Sequence, residues 1–300
     1  MSHPLHVVDV FAERKYAGNQ LAVVRDAADL SGEEMQAIAR EMAYSETTFV
    51  ESTKREAGGG WDVRIFTPTE ELPFAGHPTL GTAHVIHEHL AENPDETVRL
   101  NLGVGQVPIR AETVDGAATL WMTQQSPEFG VQLDRQALAN VLSLSEDALA
   151  TDYPIQIVST GLATIVVPLR DGAALTCIEI DRNAYRTVTG DREAKLVLAV
   201  APDPRDDAND LAVRVFAPGL GVPEDPATGS ANGCLAAYLA RHRYLGGREV
   251  DARVEQGHEL DRPSLLYLRA GDAAGPDDPG DAVTVEVGGS VQPVVEGRLL

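Results

Sequence analysis

The chain has 300 residues, 43% of them hydrophobic, with 24 basic and 46 acidic side chains and a formal charge of −22. That balance excludes a protein built to hold nucleic acid or an anionic membrane, both of which need a basic face, and the apolar content excludes a disordered chain. No run of 18 apolar residues predicts a spanning helix, and two cysteines, Cys177 and Cys234, make neither a disulfide framework nor a zinc site and are expected as buried reduced thiols.

The opening "MSHPLHVVDVF" lacks a basic stretch followed by a long apolar one. It reads as a first strand, not a signal peptide, and a cytoplasmic protein is expected. "YAGN" is a turn and "QLAVV" the returning strand. "LSGEEMQAIAREM" is helical: Ser31 and Glu34 form a capping-box pattern, and Met35, Ile38, Ala39 and Met42 share one face. "ETTFVES" and "WDVRIFTP" are strands, "GHPTLGTAHVIHEHLAE" is a helix, and "TVRLNLGVGQVPIRAE" and "GAATLWMTQ" are further strands. Residues 125–152 contain a helical stretch and read as a connection. "PIQIVSTGLATIVVPL" is strand, glycine turn, strand; "DRNAYRTVTGDREAKLVLAVAP" supplies a helix and a strand; "LAVRVFAP" is a strand. "GSANGCLAAYLARHRYL" is a helix, and "REVDARVEQG", "SLLYLRAG" and "AVTVEVGG" are late strands.

Val-Arg-hydrophobic-Phe-x-Pro thus occurs twice, at 63–68 and 213–218, 150 residues apart. Each copy leads to a glycine that opens a helix, Gly76 and Gly229. Both helices are apolar nearly all round, so each must be wrapped on every side, and a curved sheet closing around it is the simple solution. Two lobes are expected: residues 1–125, with the last strand at about 286–300 as a candidate to complete it, and residues 126–285. A second glycine follows each first one, Gly81 and, one residue sooner, Gly233. Helix starts carry unpaired N–H groups and partial positive charge, so two of them facing one another would make a pocket for a small carboxylate. His77, Asp225, Thr228 and Ser230 lie on these loops, with Glu70, Glu71 and Glu224 close by; Glu46 stands at the mouth of "ETTFV" with no counterpart in the second half. Asp225 also fits a plain turn or capping residue. His84, His87 and His89 read as solvent-facing, with no third ligand to make a metal site of the i, i+3 pair.

"GNQLAVV", "YSETTFV", "FAGHPTLGTA" and "EDPATGSANG" together resemble the PhzF-like phenazine biosynthesis family, in order and spacing over essentially the whole chain. The resemblance implies an α+β, diaminopimelate-epimerase-like fold of two pseudo-symmetric lobes. Each would be a barrel-like, mostly antiparallel sheet around a central helix, with the active site between them. It implies an isomerase acting on trans-2,3-dihydro-3-hydroxyanthranilate with no cofactor and no metal, and a homodimer. It also implies that Glu46 is the acid/base, that His77, Asp225 and Ser230 bind substrate and assist proton movement, and that Gly76 and Gly229, with Thr228, receive a small carboxylate-bearing substrate. Racemases of the same fold place a cysteine before each loop glycine. Here Ala75 and Thr228 stand there, so a two-thiol racemase is disfavoured. Epimerisation of an amino-acid-like substrate and non-catalytic carboxylate binding remain as alternatives.

Only Lys15, Lys54 and Lys195 are lysines, and acidic tracts such as "PDPRDDAND" and "GPDDPGD" read as solvated loops. Many surface carboxylates with few lysines point to a chain adapted to high salt, where ions screen self-repulsion. Melting in molar salt is expected well above melting in dilute buffer; equal values would reject this.

Overall fold

The computed structural model describes residues 2–52, 59–91, 97–272 and 283–300. The tract "GPDDPGD" lies outside the described residues. The chain divides into two compact units, residues 1–122 with 288–300, and residues 123–287.

In the first unit, β-branched runs become strands and one amphipathic segment becomes an outer helix. The elements are β1 (His3–Val10), β2 (Asn19–Val24), α1 (Gly32–Met42), β3 (Glu46–Val50), β4 (Trp61–Phe66), β5 (Glu71–Leu72), α2 (Gly76–His89), β6 (Val98–Leu102), β7 (Gly105–Val114) and β8 (Ala117–Thr123). β1 pairs antiparallel with β2 and with the C-terminal strand Val291–Leu299. β2 runs parallel to β3 with Leu21 opposite Glu46, and β3 pairs antiparallel with β4. β4 pairs with β5 and, in parallel, with β6, from which β7 and β8 continue antiparallel. The Ser31–Glu34 capping box forms as its spacing predicts. Met35 and Ala39 of α1 are buried with Val24, Ala27, Phe49 and Phe66. α2 packs against β1, β2, β3 and β6 and is buried from Gly76 to Ile86 except at His84, as an all-round apolar helix requires.

The second unit contains β9 (Glu128–Gln132), α3 (Arg135–Leu142), β10 (Gln156–Ser159), β11 (Thr164–Pro168), α4 (Gly172–Thr176), α5 (Arg182–Thr189), β12 (Leu196–Ala201), β13 (Leu211–Ala217), β14 (Val222–Asp225), α6 (Gly229–His242), β15 (Val250–Gln256), β16 (Ser264–Asp272) and β17 (Val283–Gly289). β9, β10 and β11 pair antiparallel, β11 runs parallel to β12, and β12 pairs antiparallel with β13. β13 pairs with β14 and, in parallel, with β15, which continues antiparallel to β16. α6 packs against β10, β11, β12, β15 and β16 and is buried from Gly229 to Ala240. The α+β expectation is borne out. Residues 125–152 are more than a connection: β9 pairs with β10, and Leu138, Ala139, Val141 and Leu142 of α3 are fully buried in this unit's core.

The repeated Val-Arg-x-Phe motif has the same local role in each unit. Arg64 makes a two-pronged bond to Glu71 (2.8 and 2.7 Å), and Arg214 makes one to Glu224 (2.8 and 2.8 Å). Each guanidinium also lies over the Phe two residues on, 5.1 Å from Phe66 and 4.9 Å from Phe216. The motif therefore ties its strand to the acidic segment leading into the glycine loop. The second glycines serve packing. A Cβ on Gly81 would lie 2.6 Å from Leu21 Cδ2, and one on Gly233 2.9 Å from Gln124 Cγ.

Candidate active site

Four of the six α-helices among the described residues are closed at their N-termini by a side chain. Ser31 caps α1, Asp134 α3, Asp171 α4 and Asp181 α5. α2 and α6, the two glycine-loop helices, have no such cap and no acidic residue in the first turn. Their first turns are thus neither capped by an N-cap side chain nor offset by an acidic residue of their own. In α2, Pro78 contributes no N–H and Thr79 N–H bonds back to the Ala75 carbonyl, which leaves Gly76 and His77 as the donors of that end. Ala75 cannot cap. Thr228 could by its chemistry, but its hydroxyl is turned to Asp225 Oδ2.

In the first unit, Glu46 opens β3 and His77 is the second residue of α2. A hydroxyl pair, Thr48 Oγ1 to Thr82 Oγ1 at 2.7 Å, ties that strand to that helix. His77 Nε2 lies 3.4 Å from Glu46 Oε2, close but not in hydrogen-bonding geometry. His77 Nδ1 lies 3.3 Å from Asn19 Nδ2 at the start of β2. Burial pushes the His77 pKa down to about 3, against a smaller upward pull from a hydrogen bond with the Gln20 backbone. At neutral pH the neighbour of Glu46 is therefore a neutral imidazole.

This has a measurable consequence, to which His6 adds. Burial, reinforced by His89, lowers the His6 pKa to about 4. In both cases the unfolded chain takes up a proton near pH 6.5 and the folded one only well below it, so stability is full above that pH and falls as pH drops through the window. The urea midpoint is expected to decline from pH 7 to 5, and to decline less in His6→Gln and His77→Gln. A wild-type midpoint that is flat or rises over that range would contradict the assignment.

In the second unit, Asp225 ends β14, Thr228 occupies the N-cap of α6, and Gly229 and Ser230 begin the helix, with Ser230 9% exposed. Asp225 does not cap α6; it accepts from Thr228. Two residues not singled out in the sequence complete the arrangement: Asn232, fully buried and within "EDPATGSANG", and Gln256 at the end of β15, in no quoted motif, which bonds the loop at several points. Asn19 lies within the motif "GNQLAVV", but in "YAGNQ" it reads as a turn residue and its pairing with His77 does not show.

Other groups stay apart from these. Cys234 is buried within α6, its thiol 3.5 Å from Thr160 Oγ1 and its pKa raised by burial, so it remains a protonated thiol. Cys177, expected buried, is exposed at the end of α4, a helix too short to cover it. His84, expected in solvent, is only partly exposed, and burial lowers its pKa. His89 is exposed, yet its ring packs 4.4 Å from that of His6. Among the described residues no three His, Cys, Asp or Glu side chains gather as a metal-ligand set, and no helix is long and apolar enough to cross a membrane. An open depression of about 550 Å³ is lined by Glu51, Asp62, Arg64, Glu71, Pro73 and Asn101. It contains none of the candidate site residues, and its Arg64 and Glu71 are already paired with each other.

Comparison with known proteins agrees with the motifs. Residues 8–297 match the family described as phenazine biosynthesis-like protein. The chain is 37% identical to the trans-2,3-dihydro-3-hydroxyanthranilate isomerase of Pseudomonas aeruginosa, covering 99% of each. Its structure resembles that of a PhzF-family phenazine biosynthesis protein from Bacillus anthracis, with a TM-score of 0.90 at 25% identity over 100% of this chain and 99% of the other. It also resembles a Pseudomonas aeruginosa protein described as a predicted epimerase, with a TM-score of 0.81 at 32% identity over 99% of each. With the motifs, the fold and these matches in agreement over nearly its full length, this chain belongs to the PhzF-type, phenazine biosynthesis-like protein family.

Proposed function

We propose that the protein is a cofactor-independent isomerase that moves a proton within a small carboxylated substrate, with Glu46 as the single acid/base. The observation that carries this reading is Glu46 beside the buried, neutral His77 at the uncapped start of α2, where N–H groups are left to receive a carboxylate. The isomerase name of the 37%-identical relative supports the substrate class. On trans-2,3-dihydro-3-hydroxyanthranilate, the Glu46 carboxylate takes the proton from C3, which lies beside an extended double-bond system. The resulting carboxylic acid returns it at C1, and tautomerisation gives the ketone-side isomer. Neutral His77 stands beside the Glu46 side chain without neutralising it. Asp225, Thr228 and Ser230 bind substrate and assist proton movement, and the helix-start N–H groups keep the substrate carboxylate from competing as a base.

The likeness to a protein described as an epimerase favours a second reading, inversion at the α-carbon of an amino-acid-like substrate. Ala75 and Thr228, where thiols would be needed, weigh against its two-cysteine form. One NMR experiment in heavy water separates the readings. The isomerase converts the dihydrohydroxyanthranilate, whereas an epimerase washes deuterium into the α-position of candidate amino acids. Binding of the dihydrohydroxyanthranilate without conversion would sink the isomerase proposal.

A further inference from the structure

The loop from Asp225 to Gly229 is held by Gln256, which is 1% exposed and makes four hydrogen bonds to it and to α6. Two of these have backbone partners, and they fix which end of the amide is which. The Thr228 N–H can only donate, so the atom 3.1 Å away is the amide oxygen; the Asp225 carbonyl can only accept, so the atom 2.7 Å away is the amide nitrogen. The oxygen also accepts from Asn232 Nδ2 at 2.9 Å, and the nitrogen also donates to Thr228 Oγ1 at 3.1 Å. Thr228 Oγ1 thus already receives one hydrogen bond, and its single proton is directed to Asp225 Oδ2.

We propose that Gln256 is a positioning residue that sets the direction of hydrogen bonding through this loop. Two consequences follow. Thr228 donates to Asp225, which favours an unprotonated Oδ2, because a hydrogen bond received by a carboxylate stabilises its charged form. Thr228 is also withheld from capping α6, which leaves the N–H groups of Ser230 and Ala231, beside that of Gly229, to a bound anion. Where turnover is measured, the inference rests on the proposed function; where the Asp225 carboxyl is titrated directly, it stands alone.

Carbon-13 labelling of aspartate side chains, with Asp225→Asn to assign the resonance, reports that titration. Thr228→Val keeps the shape and removes the hydroxyl, and it is expected to move the Asp225 titration up by roughly one to two pH units. Thr228→Ser restores the wild-type value. Gln256→Glu offers the Thr228 hydroxyl a competing acceptor and moves the titration up as well. With the dihydrohydroxyanthranilate, kcat/KM falls about tenfold in Thr228→Val and recovers in Thr228→Ser. An Asp225 resonance that titrates at the wild-type pH in both Thr228→Val and Gln256→Glu overturns the proposal. Should Gln256→Glu melt too low to be studied, Gln256→Met, which removes the amide without adding a charge, takes its place, and an Asp225 titration unchanged in it overturns the proposal. A wild-type protein without turnover would remove the proposed function and leave the titration fully readable.

Discussion

Glu46→Gln is expected to lower turnover of the dihydrohydroxyanthranilate by roughly 10²–10⁴-fold, the usual contribution of a placed acid/base. KM should change little, because the amide keeps the size of the side chain and the groups that receive the carboxylate are untouched. Glutamine cannot accept and return a proton at neutral pH, so deuterium incorporation into product disappears with turnover. The substitution is a clean one structurally. Glu46 is the first residue of β3, its register is set by the pairs from Leu21↔Glu46 to Val24↔Phe49, and the interior of the strand is fixed by Thr47, Thr48, Phe49 and Val50, all buried. A melting temperature near wild type is the control. Turnover within tenfold of wild type in the Gln variant would remove Glu46 from the role. His77→Gln should cost less, since an imidazole that stays neutral at working pH, 3.4 Å from the carboxylate, is not the group proposed to carry the proton.

The local asymmetry around Glu46 is legible in the amino-acid sequence. The two glycine loops and their apolar helices are duplicated, whereas the glutamate is not, and that suits a proton moved within one substrate better than one exchanged between matched bases. The helices themselves can be read from small and apolar residues that leave no solvent face. Contacts made across long sequence separations cannot be read in this way. Asn19 meets His77 58 residues away, and Gln256 meets Thr228 28 residues away. Asn19 belongs to "GNQLAVV", yet its turn context does not name its partner, and Gln256, at a strand end, belongs to no quoted motif. The repeat poses a related difficulty. Val-Arg-x-Phe is obvious, but its acidic partners stand 7 residues on in one copy and 10 in the other, so no fixed spacing reveals them. Thr228 shows a further limit: its residue type predicts a helix cap, and only the hydroxyl's bond to Asp225 shows that it declines that role.

The two Arg–Glu clamps offer the second large effect, because the same sequence motif sits in two different environments. The Arg214 and Glu224 side chains are 9% and 13% exposed, and Arg214 Nη1 also donates to the Leu175 and Ile178 carbonyls at the end of α4. Arg214→Met would leave a nearly buried carboxylate and two carbonyls without their donor. Breaking a buried pair from one side costs about 3–5 kcal/mol, which for a domain of this size lowers Tm by roughly 6–20 °C. The Arg64 and Glu71 side chains are 30% and 43% exposed. Arg64 holds the Glu71 carboxyl below the usual carboxylate range, yet water can replace either partner, so Arg64→Met is expected to cost only about 0–1 kcal/mol. Replacing both members of the buried pair, in Arg214→Met with Glu224→Met, should recover part of the loss, because the uncompensated charge is then gone. Thermal melts of the three variants test this together. Equal losses at Arg64 and Arg214 would mean that the motif acts by its sequence alone; a large loss confined to Arg214, eased in the double variant, means that burial decides the strength of the clamp.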